Sequence, residues 1–145
     1  MKPTILILCT GNSCRSHMAE GYLQHKLGNL VNVQSAGSKP SNYVHPIAIQ
    51  VMQELEIDIS GHRSKHLDEY MQQDIDTVIT VCDNAETCCP TFPGERKHYC
   101  WSFADPADAT GTEEEIVNAF RKVRDEIRET FDRYAAELSL QLSGT

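Results

Sequence analysis

Thr4-Ile5-Leu6-Ile7-Leu8-Cys9-Thr10-Gly11-Asn12-Ser13-Cys14-Arg15-Ser16 is the stretch on which the reading of this chain turns. Its first six residues are an apolar run between Pro3 and Gly11, the pattern of a central parallel strand covered on both faces. After a few small residues, helical spacing runs from Ser16 to Leu27, with Met18, Tyr22 and Leu27 apolar and Gly28 placed as a stop. A strand, a tight loop and a helix start make a cradle for a tetrahedral oxyanion. Successive backbone N–H groups converge on one point there, and the helix adds its positive end. Arg15 can grip two oxygens with its planar fork. The same field favours an ionised thiol, so Cys9 is expected to be a nucleophile at neutral pH. The competing reading is a buried strand cysteine without chemistry, a common fate for this residue.

Working outward, Val31–Ser35 reads as a short strand closed by Gly37, and Pro46–Leu55 as a helix with proline at an early position. A loop over Ser60–Lys65 and a short helix around Leu67–Gln73 follow. Thr77–Val81 is a second apolar strand, ending on Cys82, and His98–Trp101 is a fourth. The last third carries Ile116, Phe120, Val123, Ile127, Phe131, Tyr134 and Leu138 in steps of three and four, one buried stripe of a long helix. Arg121/Asp125, Arg128/Asp132 and Glu129/Arg133 lie four apart on its wet side and read as a solvated face. Strands alternating with helices imply an α/β domain with a parallel sheet and helices on both faces. Ligands of such folds bind beyond the carboxyl ends of the strands, where Cys9 and Cys82 both stand.

With 145 residues the chain suffices for a single domain, 1–145, without metal or disulfide staples. Its net charge of −8 argues against nucleic acid, and makes Arg15 a local device for holding an anion in an acidic protein. No signal peptide and no membrane-spanning run is read from the sequence, so a cytoplasmic monomer is expected. Six cysteines in that setting are read as free or redox-active thiols and not as three disulfides.

Three of those thiols fall within Cys82-Asp83-Asn84-Ala85-Glu86-Thr87-Cys88-Cys89-Pro90. On a helix, Cys82 and Cys89 would share a face with their Cα atoms about 10 Å apart. A disulfide needs roughly 4.4–6.8 Å, so a Cys82–Cys89 bond requires the segment to unwind, which Pro90 makes easy. Cys88 points away from that face. Cys82, Cys88, Cys89, His98 and Cys100 could alternatively hold zinc, but no clean Cys-x2-Cys pairing appears, and no metal is expected. Cys100, flanked by apolar residues, is expected in the core. Asp105-Pro106 follows the fourth strand, where a carboxylate could reach the mouth of the cradle and protonate a leaving oxygen.

Cys9 through Ser16, followed by Met18-Ala19-Glu20-Gly21, resembles the low-molecular-weight tyrosine phosphatase superfamily, and within it the thioredoxin-coupled arsenate reductases. Ser35-Ala36-Gly37, Ile57-Asp58-Ile59-Ser60, Cys82…Cys89-Pro90 and Asp105-Pro106 match in order, so the resemblance spans nearly the whole chain. It implies a three-layer sandwich whose four-stranded parallel sheet has the order 2-1-3-4. It implies that Thr10, Gly11, Asn12, Ser13, Cys14 and Arg15 bind arsenate, with phosphate or sulfate as competitors. Cys9, supported by Ser16 and held near Arg15, would attack arsenate while Asp105 serves as general acid. Cys82 would then form a disulfide with Cys9 and release arsenite, and Cys89 would take over Cys82. The resemblance implies no bound cofactor, only an external dithiol reductant: thioredoxin, or glutathione with glutaredoxin. Two departures stand out, His17 where a glutamine-like residue is expected and the extra thiol of Cys88. Some members hold potassium near positions matching Asn12, Glu20 and Ser35; Lys65 aligns with an acid of that site, so its ammonium is expected to replace the ion. Two alternatives stay open. One is a tyrosine phosphatase, although Ala107-Asp108 stand where such enzymes place tyrosines, with Tyr43 the main other aromatic candidate. The other is a non-catalytic arsenic or zinc sensor, or a phosphocarrier.

Overall fold

In a computed structural model the described residues are 3–9, 14–28, 30–37, 43–70, 75–81, 97–101 and 103–143. Thr10, Gly11, Asn12 and Ser13 of the expected cradle, and Cys82, Cys88 and Cys89 of the expected relay, lie outside them. Strand β1 (Thr4–Cys9) leads to helix α1 (Arg15–Leu27), then β2 (Asn32–Gly37) and α2 (Pro46–Gln53). A 3-10 helix at Leu67–Tyr70 precedes β3 (Thr77–Thr80), and β4 (Lys97–Cys100) is followed by a second 3-10 turn and the long α3 (Glu113–Ser143). The sheet has the order β2-β1-β3-β4, with every neighbouring pair parallel, as the resemblance implied.

β1 sits inside the sheet because its residues are apolar on both sides. Ile5, Ile7 and Cys9 face a large core built with α1, α2 and α3, while Leu6 and Leu8 face a smaller one with Ala36, Tyr70, Ile75 and Val78. Among the described residues all three α-helices therefore cover one face, and the 3-10 helix ending at Tyr70 helps cover the other. Gly21 lets α1 press against the segment after α2: a Cβ there would lie 2.5 Å from Ile59 Cγ2. Gly28 follows α1 as expected but keeps a right-handed conformation (φ −57°), so it ends the helix without the left-handed turn that glycine usually supplies.

α2 starts at Pro46, and the His45 ring caps it by accepting a hydrogen bond from Ile47 N–H at 3.1 Å. α3 opens on a capping box in which Glu115 N–H donates to Thr112 Oγ1 and Thr112 N–H to Glu115 Oε1. Its stripe is buried through Val117, Phe120, Val123, Ile127, Phe131 and Tyr134. Two expectations change. Arg121 does not pair with Asp125; besides donating to Asn118 within α3 it reaches Glu54 beyond α2, as does Arg124, which also donates to the Val51 carbonyl. Cys100 is exposed, not core. β4 is an edge strand whose Tyr99 and Trp101 turn toward Phe131 and Tyr134 of α3, so alternation sends Cys100 to the other face. Cys100 is disulfide-bonded, whereas Cys9 and Cys14 are buried thiols outside any disulfide.

Candidate active site

The buried end of β1 delivers Cys9, and the first turn of α1 delivers Cys14, Arg15 and Ser16, all within a few per cent of full burial. From the other end of the chain, the loop after β4 brings Asp105 to the same place. Arg15 Nη1 donates to the Phe103 carbonyl at 3.0 Å, and Nη2 lies 3.4 Å from Asp105 Oδ2. Cys14 donates its S–H to Asp105 Oδ1 at 3.5 Å. Asp105 is itself fixed, because it accepts from Ala107 N–H at 3.0 Å and so caps the 3-10 turn at Pro106–Asp108. The expected acid and the expected arginine thus meet at the carboxyl end of β1, although about ninety residues separate them. Burial, reinforced by the Asp105 charge, pushes the Cys14 thiol up to about 11, which keeps it protonated at neutral pH.

One turn along α1, a polar cluster surrounds His17. The His17 and His62 rings face each other, Nδ1 to Nδ1, at 3.1 Å. Ser35 donates to Glu20 Oε1 at 2.5 Å and lies 3.5 Å from His17 Nδ1. Glu20 carboxylate oxygens stand 3.8 Å from each imidazole. Burial holds the His62 imidazole below its ordinary value against the pull of Glu20, and it holds the neighbouring Lys65 ammonium down likewise. Glu20 and Ser35 were singled out from the sequence. His62 was not, because nothing local marks a loop histidine as the partner of a helix residue forty-five positions earlier. The Phe103 carbonyl was equally invisible, since a backbone acceptor has no sequence signature.

The family model described as low molecular weight phosphotyrosine protein phosphatase matches residues 4–143. The chain belongs to this family. Within it, the chain is 47% identical to a protein of Bacillus licheniformis named arsenate reductase, over 92% of this chain and 96% of that one. A relative of the same name from Staphylococcus aureus is 42% identical over 92% of this chain and 96% of its own length. Among solved structures, an arsenate reductase in the oxidized state matches with a TM-score of 0.77 at 31% identity, covering 94% of this chain and 98% of that one. Among the described residues, no helix is long and apolar enough to cross a membrane.

Proposed function

We propose that this chain reduces arsenate to arsenite through a thiol–disulfide relay. Cys9 thiolate attacks arsenic, and one arsenate oxygen leaves as water with a proton from Asp105. The Cys82 thiolate then attacks the Cys9 sulfur; the S–As bond breaks with its electron pair on arsenic, which leaves as arsenite. Cys89 attacks Cys82 in turn, freeing Cys9, and an external dithiol reduces the Cys82–Cys89 bond. Thr10, Gly11, Asn12, Ser13 and Cys14 supply the loop around the oxyanion, Arg15 neutralises its charge, and Ser16 steadies the thiolate. No bound cofactor is needed, because each electron pair passes from sulfur. Thioredoxin suits the spacing of Cys82 and Cys89, with glutathione and glutaredoxin as the other donor.

The observation that favours reduction over phosphate-ester hydrolysis is the likeness, along 92% of the chain, to a protein named arsenate reductase. Arg15 and Asp105 would serve either chemistry. The test is arsenate-dependent NADPH oxidation with thioredoxin and its reductase, comparing serine at positions 9, 82, 88 and 89. Cys9→Ser abolishes turnover, Cys82→Ser and Cys89→Ser lose multiple turnovers, and Cys88→Ser keeps most of the rate. An inactive Cys88→Ser beside a fully active Cys89→Ser means the resolving thiol is Cys88. Hydrolysis of an aryl phosphate with no arsenate turnover under either donor overturns the proposal in favour of a phosphatase.

A further inference from the structure

Three places outside the oxyanion site carry chemistry: the Cys14 thiol, a cavity of about 400 Å³ between Asp105 and α3, and the cluster around His17. The first belongs to the active site. The second, lined by Phe103, Pro106, Asp108, Lys122 and Glu126, shares Asp105 with the active site and, among the described residues, holds no group of three metal-ligating side chains. The third has one.

We propose that His17, Glu20 and His62 bind a divalent transition-metal ion of the zinc type. Each can turn one ligand atom toward a common centre, with those atoms all within 4.8 Å of one another. Ligands at zinc-binding distance around a tetrahedral centre lie about 3.3 Å apart. His17 Nδ1 stands 3.1 Å from His62 Nδ1 and 3.8 Å from Glu20 Oε1, while Glu20 Oε2 lies 3.8 Å from the other His62 nitrogen, so the side chains must rotate to bring one atom of each to the centre. Two imidazoles and a carboxylate with a further position open is a ligand set that zinc uses. Ser35 donates to Glu20 Oε1, a hydrogen bond of the kind that orients a metal-binding carboxylate.

The donor chemistry also decides which cation fits. A hard ion depends on several oxygen ligands, and this cluster offers one carboxylate beside two imidazoles, while the buried Lys65 nearby opposes any cation. Imidazole nitrogens donate to borderline metals without needing net negative charge. The site is also built and not incidental, since His17 is fully buried and Glu20 nearly so. Its ligands come from α1 and from the segment after α2, and Ser35 adds β2, so a bound ion ties three elements together next to Ser16.

Co2+ titrated into the reduced full-length chain reads the ligands directly, since sulfur ligation adds intense near-ultraviolet charge transfer and nitrogen–oxygen ligation does not. One equivalent is expected to bind with visible bands free of sulfur charge transfer, and Zn2+ displaces it. His62→Gln and His17→Gln each weaken that equivalent at least tenfold. Zn2+ raises the melting temperature of the wild type but not of H62Q. If H17Q fails to fold, H62Q carries the test alone, because the His62 side chain is 21% exposed and its ring can be replaced without opening the core. Cobalt stoichiometry and spectra identical in wild type and H62Q overturn the proposal, as does an N/O-free spectrum dominated by sulfur in both.

Discussion

Asp105 holds three partners at once, and the conflict among them defines its chemistry. It accepts from the Ala107 amide, faces the Arg15 guanidinium and accepts the Cys14 S–H. Turned toward Cys14, it keeps a second thiol neutral close to the proposed nucleophile Cys9. A family cradle with two reactive thiols would risk closing on itself by oxidation, and a thiol held near 11 is a poor partner at neutral pH. Asp105→Asn removes the charge but not the burial, which is the larger cause. The Cys14 value is therefore expected to fall while staying above the ordinary 9.0. Alkylation of Cys14 followed by mass spectrometry across a pH series reads this shift. The same variant should slow arsenate turnover by about 10²–10⁴-fold, the usual contribution of a placed general acid. A Cys14 titration unmoved by D105N would remove Asp105 from the electrostatics of the site.

Among elements, the join between α2 and α3 is made by charge laid over an apolar contact. Glu54 receives Arg121 and Arg124 together, and those partners hold its carboxyl below its usual range. A depressed carboxyl adds stability above its unfolded value of 4.5, and that stability is lost as pH falls through the lower folded value. Glu54→Gln is thus expected to cost about 1 kcal/mol or less at pH 7, since Glu54 and Arg121 are 35% and 40% exposed and solvent screens them. Urea unfolding should show the difference shrinking in high salt and vanishing in acid; a constant difference would assign it to packing. This join was not legible in the sequence. Residues four apart on one helix suggest pairs along it, whereas a partner sixty-seven positions away leaves no trace. Cys100 was misread for a related reason: apolar neighbours identify a strand, but not that it lies at the edge with one face open. By contrast β1 and α3 were legible, because burial on both faces and a stripe at steps of three and four depend only on local spacing.

At the scale of the molecule, Arg15 joins the two ends of the chain. Its guanidinium ties the start of α1 to the Phe103 carbonyl and to Asp105, across about ninety residues. That Arg15 and Asp105 belong to one site was an expectation of the family resemblance, while the contact to the Phe103 carbonyl had to be seen. An oxyanion that settles against Arg15 binds the folded chain alone, so it must raise the melting temperature by mass action. With phosphate or sulfate at about a hundred times its dissociation constant the gain is roughly 2.7 kcal/mol. For a domain of this size, at about 2–4 °C per kcal/mol, that is a rise of about 5–10 °C. Arg15→Lys keeps the charge but loses the planar fork that can hold two oxygens and a carbonyl together. Calorimetry at fixed ionic strength should find most of the oxyanion-induced rise gone in R15K, with the unliganded melting temperature lowered as well because the Phe103 carbonyl loses its donor. An equal rise in both proteins would mean the anion stabilises the chain from somewhere other than the start of α1.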